Sequence, residues 1–236
     1  MPAKAKIESM FDSIAGDYDK LNHIMSLDVD KTWRKRALKE IVDGSGSLEV
    51  LDLACGTGDF SIAVAKASGH VHVTGVDLSE GMLAVMAEKV ARQGLDGKIS
   101  YEQGDGENLR FEDGTFDRVT IAFGIRNFED RLKGLREILR VLKPGGRVVI
   151  LELSRPENKI IRWFYDIYFL RIMPVIGGKV SGDKAAYSYL PASVKAFPGK
   201  KEFSSMMARA GFKNVRHKAF SLGICRMYTG EKDKIN

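Results

Sequence analysis

Apolar positions near the start of the chain recur with helical spacing. Ile7, Met10, Phe11 and Ile14 fall at i, i+3, i+4 and i+7, one face of a helix. The pattern breaks at "GDYDKLNH", and Trp33, Ala37 and Ile41 resume it on a second helix. "DGSGS" (Asp43 to Ser47) then supplies a turn. Residues 1–43 therefore read as a helical arm, too small to fold alone, that packs on or closes over the rest of the chain.

From Leu48 the period changes. "LEVLDLA" is a short apolar strand, "DFSIAVAKA" a helix and "HVHVTGVDL" a strand rich in β-branched residues. Ser79 can cap a helix carrying Met82, Met86 and Val90 on one face. "KISYEQG" and "FDRVTIAF" are the third and fourth strands, and "DRLKGLREILRVLK" is an amphipathic helix. Pro144-Gly145-Gly146 ends that helix before a fifth strand, "RVVILEL". Strands apolar on both faces and alternating with helices predict a mostly parallel sheet covered on both sides. Residues 155–200 break the rhythm and, being rich in aromatics, read as an inserted lid. "KEFSSMMARAGF" is a further helix stopped by Gly211. "KNVRHKAFSLGICRMYTGEK" is a closing antiparallel hairpin around Leu222-Gly223.

The length, 236 residues, suits one domain spanning 1–236, and 44% apolar residues can fill its core. Two cysteines, Cys55 and Cys225, imply no disulfide framework and fit a reducing cytoplasm. The N-terminus has no signal-peptide core, and no apolar run reaches bilayer length. The net charge of +6 is that of a basic surface, with an anionic membrane as the functional alternative. Nothing resembling a concentrated nucleic-acid face is visible, so no nucleic-acid partner is expected.

The candidate chemistry begins at "LDLACGTGDF", where Gly56 and Gly58 lie between a strand and a helix and let a ligand approach the backbone. Alone, such a pair is equally a tight turn. Asp77 ends the second strand 19 residues after Gly58, where an acidic side chain in a doubly wound sheet holds a ribose. The third glycine of a dinucleotide site is missing, and Asp59 stands where a pyrophosphate would lie. A carboxylate there repels a pyrophosphate and suits a cation. Asp105, after the third strand, belongs to the adenine side. A nucleoside with a cationic appendage fits, and S-adenosylmethionine is one.

"VLDLACGTGDF", "GVDLSEGML", "QGDGENLRF" and "VLKPGGRVVILELS" together resemble a Rossmann-like class I S-adenosylmethionine-dependent methyltransferase. That resemblance implies an α/β fold with a mostly parallel seven-stranded sheet, helices on both faces and a terminal antiparallel hairpin. "YDKLNHIMSLDVDKTWRKR", "FGIRN", "RVLKPGGRVVILELS" and "YSYLPASVKAFP" resemble, more closely, the C-methyltransferases of menaquinone and ubiquinone biosynthesis. This likeness covers nearly the whole chain. It departs once: Asp30, three residues before Trp33, stands where the family usually has histidine.

The resemblance implies Thr57, Asp77, Asp105 and Gly106 as cofactor contacts, beside Gly56 and Gly58 of the loop. Asp77 is expected on the ribose hydroxyls, Asp105 and Gly106 at the adenine, and Thr57 beside the methionine moiety. It also implies C-methylation of a prenylated quinol with S-adenosylmethionine as the consumed methyl donor and no metal. Demethylmenaquinol is the expected substrate, and the ubiquinone-pathway quinol, or both, is the nearest alternative. An RNA methyltransferase and a non-catalytic binding subunit are more distant ones.

Arg126 follows the fourth strand at the carboxyl edge of the sheet, where ligands bind. A guanidinium there can hold a water or a developing phenolate oxygen. The competing reading pairs it with Glu129 or Asp130 on a surface turn. Tyr18, Asn22, Asn127, Tyr187 and Tyr189 are candidates to line the quinol pocket, although tyrosines in an aromatic insert equally serve packing. His23 ranks low as a base. A prenylated substrate suggests peripheral contact of segment 155–200 with the inner face of the cytoplasmic membrane; a homo-oligomer stays open.

Overall fold

The structure is a computed structural model that describes residues 4–26, 28–44, 46–169 and 184–234, without the side chains of residues 21, 23–25 and 184–188. The arm forms α1 (Lys4–Ile14), a 3₁₀ turn (Ala15–Asp17), α2 (Tyr18–Ser26) and α3 (Val29–Ile41). "GDYDKLNH" is thus mostly helix. Only Ala15–Asp17 departs from it, and the chain turns helical again at Tyr18.

The alternating part continues as β1 (Leu48–Leu53), α4 (Asp59–Ala67), β2 (Val71–Asp77), α5 (Glu80–Arg92), β3 (Ile99–Gln103) and β4 (Phe116–Ala122). Ser79 caps α5 by accepting the Met82 N–H at 3.1 Å. After α6 (Arg131–Val141) the Pro-Gly-Gly bend does not precede the fifth strand. It lies inside β5 (Leu142–Leu153), because Leu142 has already left helical geometry. The bend is absorbed as a slip in pairing between Phe116↔Leu142 and Arg118↔Arg147.

The insert contributes α7 (Lys159–Ile167) and α8 (Lys184–Ala196); the part between residues 170 and 183 lies outside the described residues. Then come α9 (Lys200–Ala210), β6 (Lys213–Phe220) and β7 (Cys225–Glu231).

One seven-stranded sheet results, in the order β3-β2-β1-β4-β5-β7-β6. The first five strands are parallel, and β7 runs antiparallel between β5 and β6. One face buries Trp33, Ala37 and Ile41 of α3, Phe60 and Val64 of α4, and Met86 and Val90 of α5. The other buries Leu135 and Ile138 of α6 with Phe203 and Met207 of α9. Each of these large side chains gains about 1.5–3 kcal/mol on leaving water, so both faces are needed to hold the central strands.

Strand order reverses at β1, which has β2 on one side and β4 on the other. The connections leaving β1 and β4 therefore diverge and open a crevice at the carboxyl ends of the strands. Both exits are strained. Ala54 and Phe123 take φ of 55° and 63°, a region costing non-glycine residues roughly 1–2 kcal/mol each. Gly124 lets them sit close: a Cβ there would lie 2.5 Å from the Ala54 Cβ.

Candidate functional site

Two cavities meet at this crevice, and Tyr18 and Phe123 line both. The smaller, about 70 Å³, lies between α1 and the ends of β1, β2 and β3, and Gly56, Asp77, Asp105 and Gly106 line it. Asp77 Oδ2 accepts the Gly56 N–H at 2.8 Å and Oδ1 the Ser79 N–H at 2.9 Å. Burial raises the Asp77 pKa from its ordinary value, and these backbone donors oppose the rise. Asp105 Oδ1 accepts the Glu107 N–H, and the Lys4 ammonium lies 2.7 Å from its Oδ2. Lys4 also reaches Glu107 at 3.0 Å, so α1 closes the cleft from above. The fit is to a nucleoside with a cationic group: Glu8, Asp77, Asp105 and Glu107 line the cavity with one ammonium, that of Lys4, an arrangement hostile to phosphate.

Two of the expected cofactor contacts are placed differently. Thr57 is buried and turned from the cleft, its Oγ1 donating to Asp19 Oδ1 at 2.5 Å. Gly58 also lies outside the lining. It ends the loop at φ 79°, and a Cβ on it would sit 2.5 Å from Met86 Cγ, so close packing against α5 explains this glycine. Asp59, read as facing a ligand cation, is engaged by the chain's own Lys89 and by Arg34 at 3.1 Å.

The larger cavity, about 400 Å³, runs from the crevice to α7. Tyr18, shared with the smaller cavity, marks its inner end; Asn22, Asp30 and Arg126 line it too, and Ile161, Phe164, Phe169 and Leu190 belong to its apolar wall. Arg126 is not on a surface turn, and neither Glu129 nor Asp130 pairs with it. It is 5% exposed and lies 3.0 Å from Oε1 of Glu152, a fully buried residue of β5. It also donates to the Phe123 carbonyl. Asp130 instead caps α6 through the Lys133 N–H.

Burial works to lower the Arg126 pKa, but Glu152, Tyr18 and Tyr189 together outweigh it and hold the guanidinium above its ordinary value. Arg126 Nε has no hydrogen-bond partner among the described residues, nor has the Tyr165 hydroxyl in the same cavity wall. Orphaned buried donors cost about 1–3 kcal/mol each, and an acceptor oxygen in the cavity would relieve that.

Asn127 lines the smaller cavity, and its Oδ1 accepts the Tyr189 hydroxyl at 2.8 Å. Tyr189 itself is outside both linings. The side chains of Tyr187 and His23 lie outside the described residues.

Sequence reasoning missed Glu152, Asp52 and Glu107. The first two share a signal, an acidic residue inside an otherwise apolar strand, which is a buried carboxylate needing a partner. Glu107 carried no such mark: it is 5% exposed, held between Lys4 of α1 and the Glu129 N–H.

Fold, cleft and paired strand-end carboxylates define a class I S-adenosylmethionine-dependent methyltransferase. The model of the ubiE/COQ5 methyltransferase family matches residues 2–232, and the chain belongs to that family. It is 49% identical over 228 residues to the ubiquinone/menaquinone biosynthesis C-methyltransferase UbiE of Geobacter sulfurreducens, covering 96% of this chain and 88% of that one. It is 43% identical over 227 residues to the demethylmenaquinone methyltransferase of Bacteroides fragilis, covering 96% and 92%. Among solved structures, the [4+2]-cyclase SpnF superposes with a TM-score of 0.75 over 99% of this chain and 98% of that one. At 17% identity, that likeness concerns the fold alone.

Proposed function

We propose that this chain methylates a ring carbon of a prenylated quinol, with demethylmenaquinol as substrate and S-adenosylmethionine as donor. The observation that carries the reading is the polarity of the 400 Å³ cavity. Its charged end adjoins the cofactor cleft, and its aromatic wall leads outward. A quinol ring with a prenyl tail has that same order.

When bound, S-adenosylmethionine supplies a methyl on a sulfonium whose sulfur leaves neutral, so no acid is needed for the leaving group. Asp77 would hold the ribose hydroxyls, Asp105 and Gly106 would border the adenine, and Gly56 would let the ligand approach the loop. For the acceptor, ring carbons of a quinol are electron-rich and those of a quinone are not. Arg126 holds the ring oxygen and stabilises the charge that develops there as its proton leaves. Because Glu152 and the Phe123 carbonyl already fix the guanidinium, orientation costs little at the moment of reaction.

The tail reading extends to the bilayer. Ile160, Trp163 and Phe164 of α7 are 70%, 59% and 62% exposed at i, i+3 and i+4, and Phe164 also lines the cavity. Lys159 and Arg162 stand on the same helix. A peripheral contact with an anionic membrane surface would deliver the tail to the cavity mouth. No helix among the described residues is long and apolar enough to cross a membrane. Co-sedimentation with anionic vesicles should fall sharply for Trp163→Asp; equal binding by both proteins would remove this contact.

The decisive assay offers purified protein labelled S-adenosylmethionine with reduced demethylmenaquinone and, separately, with the reduced ubiquinone precursor. Label should enter the first. Transfer to neither would sink the reading.

A further inference from the structure

Asp30 is the sole carboxylate among the described residues that line the acceptor cavity. It is 3% exposed at the start of α3. Ser26 Oγ donates to its Oδ1 at 2.6 Å, and Arg34 lies 3.2 Å from its Oδ2. Arg34 in turn reaches Asp59, and its guanidinium carbon stands 5.7 Å from the Phe123 ring centroid. Since Phe123 lines both cavities, Asp30 belongs to the inner, reacting end rather than to the aromatic mouth.

The other polar side chains of this lining are tyrosine, asparagine, serine, tryptophan and arginine. Each of them can donate a hydrogen bond. An ionised carboxylate can only accept. A quinol hydroxyl offers a proton to such a group. A quinone carbonyl, itself only an acceptor, is repelled by it. The same cavity therefore treats the two redox states of one ring differently at this one place.

We infer that Asp30 selects the reduced ring and takes its hydroxyl proton as the ring carbon is methylated. This rests on the proposed quinol substrate. The O–H bond breaks and its proton passes to the Asp30 carboxylate. The ring carbon gains the methyl as the C–S bond breaks, and that bond's electron pair stays on sulfur. The hydrogen on the methylated carbon then leaves to water as a proton. Asp30 returns its own proton to the ring oxygen, which restores the quinol. One proton is released in all. Arg126 remains the holder of the oxygen, and Asp30 supplies the acceptor that a guanidinium cannot be.

The test is ligand binding under anaerobic conditions by the cofactor-free protein carrying Trp163→Phe, read from the fluorescence of Trp33 in the cavity wall. The probes are 2,3-dimethyl-1,4-naphthoquinone, whose ring carbons are blocked against thiol addition, and its hydroquinone. A hydrogen bond to a charged acceptor sets a preference of roughly tenfold or more for the hydroquinone. Asp30→Asn, which can donate as well as accept, should bring the two probes to within about twofold. The substitution keeps the side-chain shape, and Arg34 keeps Asp59.

Asp30→Glu should retain the sign of the preference, and an unchanged melting temperature in either variant separates this effect from unfolding. Equal binding of both probes by the parent protein, or a preference that survives Asp30→Asn, overturns the inference and leaves the methylation reading to its own assay. Binding of neither probe overturns both.

Discussion

Replacing Asp52 by asparagine removes a titration that the fold holds far from its ordinary range. Asp52 is in β1, 1% exposed, beneath the glycine loop. Its Oδ2 accepts the Ser61 hydroxyl at 2.5 Å, and its Oδ1 has no partner among the described residues. Burial pushes its pKa up to about 7, against the Ser61 bond and the charge of Arg34, with Asp77 adding to the rise. In the unfolded chain it titrates at about 3.9. Between those values the folded protein keeps a proton that the unfolded chain has lost. Stability therefore falls as pH rises through that window, and the penalty is complete above about pH 7. Three pH units at about 1.4 kcal/mol each amount to ~4 kcal/mol. Urea denaturation of both proteins at pH 5 and pH 8 measures it. Carboxylates not coupled to Asp52 cancel in the difference. From pH 5 to pH 8 about two of those units are crossed, so the stability of Asp52→Asn relative to the parent should rise by about 3 kcal/mol. Parallel behaviour within about 0.5 kcal/mol would refute a buried, proton-holding Asp52.

Arg126→Ala should abolish turnover while calorimetry still detects S-adenosylmethionine binding, because Arg126 lines only the acceptor cavity. Glu152→Gln leaves that guanidinium buried without its counter-charge and should cost about 3–5 kcal/mol in denaturant midpoint measurements. Gly58→Ala drives a Cβ toward Met86 at φ 79° and should lower the melting temperature and weaken cofactor affinity together. If it instead left both unchanged, the loop would be freer than its packing implies.

Most of the fold was legible along the chain because its signals are local. Alternating periods set the strands and helices, Ser79 and Gly211 punctuated them, and β1 and β5 advertised burial on both faces. The exceptions have local causes too. "GDYDKLNH" looked polar enough to be a loop, but a break of three residues satisfies it. The Pro-Gly-Gly bend looked like a boundary, but a pairing slip lets β5 start before it.

The site was half legible. Asp77 ends β2, and Gly56 and Asp105 lie in loops just after β1 and β3, so their position in the sequence fixes their position at the sheet edge. What Arg126, Thr57 and Asp30 face depends on chain far away. The partner of Arg126 is 26 residues on, in the neighbouring strand; that of Thr57 is 38 residues back, in α2. Asp30 was visible only as a departure from a family pattern. Its place in the acceptor cavity comes from α3 packing over the end of β4. Sequence by itself determined the periodicity, the glycine loop and the acidic strand ends, all set by neighbours along the chain. Tertiary structure decided which charges meet, because burial makes an unpaired charge so costly that partners are recruited across the fold.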